Sequence, residues 1–266
     1  MRGQMVQVSA REVKALRDAT GAGMMDAKRA LIEAAGDPAE AAELLKQKGL
    51  AKAAARADRE AAEGAIAVAV GDGVASLVHL RSETDFSAKA ADFLACTQEI
   101  AEAVRDGGTE AAGAFADRID ELRLSKKENI SLGTALQVRA AEGHTLDTYV
   151  HRQDGRGVNG VIVEGAGVDA EVLHQVALHV AFAKPRYLNR DEVPDADVER
   201  ERASLLEITK AEGRPEAAWD KIVQGRLTGW FRESVLLEQG LHGDKTPVSR
   251  SIGSGRIVRF EQAYLG

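Results

Sequence analysis

Glu83-Thr84-Asp85-Phe86-Ser87-Ala88-Lys89 decides how this chain is divided. The run 74–80 before it reads as a strand, and the run after it sets Phe93, Ile100 and Val104 on one face of an amphipathic helix. The stretch is therefore a strand-to-helix turn, and an acid followed by a large aromatic stands in it. Aromatic residues make up only 4% of the chain, so a phenylalanine at a turn is conspicuous. Two readings are open. Phe86 can fold back on its own helix as a hydrophobic staple. It can also project as a knob for another molecule, with Asp85 beside it as a charged probe.

Upstream of the turn, 65–70 and 74–81 form a hairpin about Gly71-Asp72-Gly73. Downstream, the helix runs to about Arg105, Gly107-Gly108 makes a loop, and a further helix over 109–124 carries Phe115, Ile119 and Leu122 at helical spacing. The pattern recurs. Runs 136–140 and 145–152 read as strands around Glu142-Gly143-His144, 160–164 reads as a third strand, and 169–182 as a helix. This is an α+β plan with two units, each an antiparallel sheet with a helix. Gly165-Ala166-Gly167 makes the corresponding turn in the second unit, so a plain glycine turn suffices there and the first turn carries something added.

The N-terminal fifty residues read as three helices. Ser9 and Glu12 form a capping box, and Val13 and Leu16 face inward with Lys14 and Arg17 outward. Gly21-Ala22-Gly23 ends the first helix, and Met24 and Met25 open a second with Ala27, Leu31 and Ala34 on one face. Asp37-Pro38 starts a third, which ends near Gly49. Such a bundle resembles the ubiquitin-associated type, whose first loop presents a partner-binding surface. The expected division is a bundle over 1–50, a solvated connector over 51–63, and core unit one over 64–135. Core unit two takes 136–190 and 241–266, with an antiparallel helical hairpin over 191–240 inserted in it. In that hairpin Val198, Leu205 and Ile208 precede the turn Gly213-Arg214-Pro215, and Trp219, Ile222, Trp230, Phe231 and Leu237 follow it. The tryptophans read as packing core. The run 256–260 reads as a strand returning to the second sheet.

Composition excludes several classes. A net charge of −7 over 266 residues lacks the basic footprint of a nucleic-acid binder. The single cysteine, Cys96, forms no internal disulfide and reads as a buried spectator thiol. No apolar run reaches the ~20 residues of a membrane span, and Met1 to Gln7 lacks a signal-peptide core. The expectation is a cytoplasmic protein with no membrane and no nucleic-acid partner. No phosphate-binding Gly-x-x-x-x-Gly-Lys loop, nucleophile elbow or His-Glu-x-x-His occurs, so no cofactor, metal or direct nucleotide binding is expected. His174 and His179 are poorly spaced for a metal and divide between surface and core. A hydrolase using His79 and Asp85 as an acid/base pair stays as an alternative, and so does a non-catalytic adaptor built on the bundle.

The run from Val13 to Leu31, with Lys14, Arg17, Thr20-Gly21-Ala22-Gly23-Met24-Met25-Asp26 and Lys28, resembles the N-terminal signature of bacterial translation elongation factor Ts. Thr84-Asp85-Phe86 with Ala88 and Lys89 is similar to that family's second signature. Glu63-Gly64, Glu128-Asn129-Ile130, Tyr149-Val150-His151, His179-Val180, Lys184-Pro185, 216–225 and Arg259-Phe260-Glu261 follow in the family's order and span nearly the whole chain. The resemblance implies a guanine-nucleotide exchange factor that binds elongation factor Tu with GDP and is not an enzyme. It implies that Lys14, Arg17, Met24 and Met25 meet the partner's nucleotide domain. Asp85 and Phe86 would intrude near its Mg²⁺–phosphate site, with Thr84 also among the partner-binding residues, and His151 would lie near another partner domain. Homodimer and heterotetramer both stay open. The chain departs from the pattern at Ser87, where the family commonly has valine, and at Ala27 in place of a cysteine. The segment 245–255 is short and is expected to lack a short helix, and the C-terminal helical module of some members is expected to be absent.

Overall fold

The capping box opens the described chain, residues 8–265 of a computed structural model; the reading of Met1 to Gln7 lies outside these residues. The Glu12 N–H donates to the Ser9 hydroxyl at 3.2 Å, and the Ser9 N–H donates to the Glu12 carboxylate at 2.7 Å. Helix α1 (Ala10–Thr20) buries Val13 and Leu16 and ends at Gly21, whose φ of +67° suits glycine. α2 (Met24–Glu33) and α3 (Pro38–Ala54) close a small core of Val13, Leu16, Ala27, Ala30, Leu31, Ala34 and Ala41. Asp37 caps α3 through the N–H groups of Ala39 and Glu40. α3 does not stop near Gly49 but continues to Ala54. Glycine inside a helix is unfavourable by about 1 kcal/mol against alanine, and close approach accounts for it. A Cβ at position 49 would lie 2.4 Å from Leu124 Cδ2 of the core.

The core holds two three-stranded antiparallel sheets. β1 (Glu63–Gly71), β2 (Val74–Ser82) and β3 (Ser131–Arg139) form one, in the order β1-β2-β3. β4 (His144–Gln153), β5 (Arg156–Ala166) and β6 (Arg256–Tyr264) form the other, in the order β4-β5-β6. The pairing of 136–140 with 145–152 is therefore corrected. β3 pairs with β2, and the expected boundary at 135/136 falls inside β3. The bend at 141–144 is real, with the His144 N–H donating to the Ala141 carbonyl at 3.0 Å, but it carries the chain from one sheet to the other. The true β4–β5 hairpin closes at Asp154-Gly155, whose φ values of +52° and +82° match the turn type such dipeptides favour.

Alternation along the strands builds four layers. β2 leads through α4 (Asp85–Ala88) to α5 (Ala91–Gly107). Ala65, Ala67, Ala69, Val78 and Leu80 face α5, which supplies Phe93, Cys96, Ile100 and Val104. The opposite face, with Ile66, Ala75, Leu77 and Val138, packs on Ile162 and Ala263 of the second sheet. Val161, Val163 and Ile257 then meet Leu173, Val176, Ala177 and Val180 of a helix over Ala170–Ala183. A Cβ at Gly157 would lie 2.1 Å from the Ile66 carbonyl oxygen, so the sheets approach closely only because that residue is glycine.

The remaining helices are α6 (Ala116–Lys126), α7 (Ala170–Ala183), α8 (Asp195–Ala211), α9 (Trp219–Ser234) and α10 (Val248–Ser251). The expected helix over 109–124 begins as a 3-10 segment, Thr109–Phe115, and becomes α-helical only in α6. α10 corrects the expectation that 245–255 lacks a short helix. α8 and α9 pack on a core of Val193, Leu227, Phe231 and Val235, with Trp230 against it. Trp219 lies outside that core, donating from Nε1 to the Arg214 carbonyl at 2.7 Å beneath Lys210. Among the described residues no helix is long and apolar enough to cross a membrane.

Candidate functional site

Thr84 caps α4, its hydroxyl accepting from the Ser87 N–H at 3.3 Å. On a single helical turn residues 84, 87 and 88 share a face. That face is inward: Ser87 and Ala88 are buried. Geometry then leaves Asp85 and Phe86 outward, and Phe86 is 84% exposed. It is not a staple on its own helix. Ser87 points into the molecule and its hydroxyl donates to Glu128 at 2.7 Å, so serine here is a polar anchor rather than a gap in packing beside Phe86.

Asp85 is bound by Lys89 at 2.7 Å, and the same ammonium reaches Asp154 at 2.9 Å. The Lys89 hydrogen bond holds the Asp85 carboxyl below its usual range, and the two carboxylates raise Lys89. This strap ties the turn to the tip of the β4–β5 hairpin. The acid/base pair of His79 and Asp85 is not formed. Asp85 is engaged by Lys89, while His79 is buried with Nε2 unpartnered and is pushed down to about 4 by burial, with Arg81 adding to the shift. Burial pushes the Cys96 thiol up to about 11, which leaves it inert at neutral pH. No cluster of residues able to hold a metal ion occurs among the described residues.

Lys14 and Arg17 are exposed on α1, with Arg17 paired to Asp18 at 2.7 Å. Met24 and Met25, 45% and 67% exposed at the first turn of α2, are surface rather than core. Among the described residues no hydrogen bond or ion pair joins these four to the turn at 84–86. His151 stands on β4, its Nδ1 3.3 Å from the Tyr149 hydroxyl. It lines a concavity of about 700 Å³ together with Arg156, Phe182, Lys184 and Tyr264. Phe182 was missed in the sequence although it is 81% exposed. Its signal is phase: Leu173, Val176, Ala177 and Val180 define the buried face of α7, and Phe182 falls off it.

Residues 83–254 match the family described as Elongation factor TS. An Elongation factor Ts of Cutibacterium acnes is 44% identical over 272 residues, covering 95% of this chain and 98% of the relative. The Elongation factor Ts of Clavibacter michiganensis is 43% identical, covering 88% of this chain and 89% of the relative. That of Renibacterium salmoninarum is 40% identical, covering 98% and 100%. The family match includes the exposed turn at 84–86, the relatives are 40–44% identical over most of the chain, and the chain belongs to the elongation factor Ts family.

Proposed function

We propose that this member of a family of cytoplasmic, non-catalytic nucleotide exchange factors for elongation factor Tu promotes GDP release by inserting Phe86, with Asp85 beside it, next to the partner's Mg²⁺–phosphate site. The observation that carries the reading is a phenylalanine 84% exposed on a turn whose inner face is anchored. Lys14, Arg17, Met24 and Met25 contact the nucleotide domain from a ubiquitin-associated-like bundle whose third helix runs to Ala54, and the segment 55–62 links it to the first sheet. Methionines suit such an adaptable apolar contact. His151, with Tyr149 and Phe182 nearby, meets a different part of elongation factor Tu. The hairpin carried by α8 and α9 is an insertion into the second unit.

The effect is a coupling free energy. The factor must bind nucleotide-free elongation factor Tu more tightly than the GDP-bound form, and nucleotide then loosens the factor by the same ratio. Each tenfold of coupling needs ~1.4 kcal/mol. Burying one phenylalanine supplies about 1.5–3 kcal/mol. If the receiving pocket opens only when the phosphate site is distorted, Phe86 accounts for one to two decades. Loss of the partner's Mg²⁺ adds to this by removing the largest local counter-charge on the phosphates.

The test is GDP release from elongation factor Tu at matched factor concentrations. Phe86→Ala slows stimulated release by about ten- to a hundredfold, with the thermal transition unchanged because the side chain is already in solvent. An unchanged rate rejects the wedge. A plain adaptor would bind without accelerating release in wild type.

A further inference from the structure

The exposed turn is one helical turn long, and an isolated turn of helix does not hold its shape in water. What holds it is a clasp with the segment after α6. Lys127 ends α6 in the left-handed conformation, φ +59°, and throws Glu128 and Asn129 across the turn. Glu128 Oε1 accepts from the Thr84 hydroxyl at 2.6 Å and from the Ser87 hydroxyl at 2.7 Å, and Oε2 accepts from the Thr84 N–H at 3.1 Å. The exchange is reciprocal: the Asn129 N–H donates to the Glu83 carboxylate at 2.6 Å. The Asn129 side chain in turn donates to the carbonyls of Ala57 and Arg59, at 3.0 and 2.7 Å, at the end of the connector. One carboxylate thus takes both hydroxyls of the inward face of α4, and charge-assisted bonds of this kind are stronger than neutral ones.

The geometry points to Glu128 as the positioning residue that presents Phe86, with Ser87 as its second handle. Glu128 touches Thr84 and Ser87, on either side of Asp85 and Phe86, and acts on the partner only through them. Without it the turn must be ordered at the moment of binding rather than before. This inference rests on the wedge reading of Phe86.

The test is a double-mutant cycle on stimulated GDP release from elongation factor Tu, with thermal unfolding of each variant as the fold control. Glu128→Ala lowers release by about three- to tenfold, the scale of ordering one mobile segment on binding. Ser87→Ala, which removes one hydroxyl, lowers it by about twofold. In the Phe86→Ala background both substitutions have no further effect. Equal losses with and without Phe86 would overturn the positioning role, because Glu128 would then act on the fold at large, and so would an unchanged rate in folded Glu128→Ala. If Glu128→Ala does not fold, the Ser87→Ala cycle decides by the same criterion. Phe86→Ala alone separates the two claims: no loss there removes the wedge, while a loss there with additive Glu128 removes only the clasp.

Discussion

β5 reaches α7 through Gly167-Val168-Asp169, whereas β2 reaches α5 only after the detour 83–90. The second turn is short, and it leaves only Gly167 and Asp169 at the surface, with no large side chain in solvent. Asp169 caps α7 through the N–H groups of Glu171 and Val172, and a Cβ at Gly255 would lie 2.6 Å from the Gly167 carbonyl oxygen. The first turn adds α4, one partly buried carboxylate to hold it and a phenylalanine in solvent. Both joints solve the same problem, a strand handing over to the helix that covers its sheet. The difference shows that α4 is not required by the architecture. Its inner face anchored by Glu128 and its Asp85 strapped by Lys89 make sense as a mount that leaves Phe86 in solvent.

The largest expected effect lies on the two exposed phenylalanines. Phe86→Ala lowers the maximal stimulated release rate by about ten- to a hundredfold, whereas Phe182→Ala raises the factor concentration needed for half the effect and leaves the maximal rate near wild type. That split is what transition-specific against uniform binding predicts. Saturation curves of GDP release for the two variants check it.

A smaller effect breaks the second turn instead. Gly255→Ala forces a methyl against the Gly167 carbonyl and Val168 Cγ2, and overpacking of this kind destabilises by about 1–3 kcal/mol. Denaturant unfolding reports the loss, while exchange per folded molecule stays at the wild-type value.

The buried histidines extend the contrast. Burial lowers His79 to about 4 and also lowers His179. An unfolded histidine takes up its proton near pH 6.5. Stability from His79 is therefore whole above about 6.5 and is lost as pH falls toward about 4. His79→Leu flattens that slope without harm at pH 7, since Nε2 has no partner to lose. His179→Leu destabilises at pH 7, because His179 accepts from the His242 N–H at 3.1 Å and bonds Gln239 at 2.9 Å. Urea midpoints measured across pH 4–8 compare the two variants. The smallest effect belongs to Lys89→Ala, which breaks exposed pairs to Asp85 and Asp154 and leaves the melting temperature unchanged within error.

Much of this was legible in the sequence because the signals are local. Ser9 with Glu12, Asp37-Pro38 and Asp169 mark helix starts, and the phase of Phe93, Ile100 and Val104 gives the covered face of the first sheet. What was not legible depends on partners distant in the chain. Nothing near 136–140 says that Leu136 pairs with Leu77 rather than with the strand after Gly143. Glu128 lies 44 residues from Thr84 in sequence and has no local reason to be anything but a surface acid. Phe86 itself was undecided between staple and knob, because its direction follows from the burial of Ser87 and Ala88 rather than from its own spacing. Asp154-Gly155 and Phe182 do carry local signals, the first in its turn chemistry and the second in its helical phase.

The central claim is that Phe86 acts by differential binding. Its most direct test is the ratio of the factor's dissociation constants for GDP-bound and nucleotide-free elongation factor Tu, measured for wild type and Phe86→Ala. The account predicts that the substitution shrinks this ratio by about ten- to a hundredfold, nearly all of it through weaker binding to the nucleotide-free form. A ratio that stays at the wild-type value while both affinities fall together would contradict it.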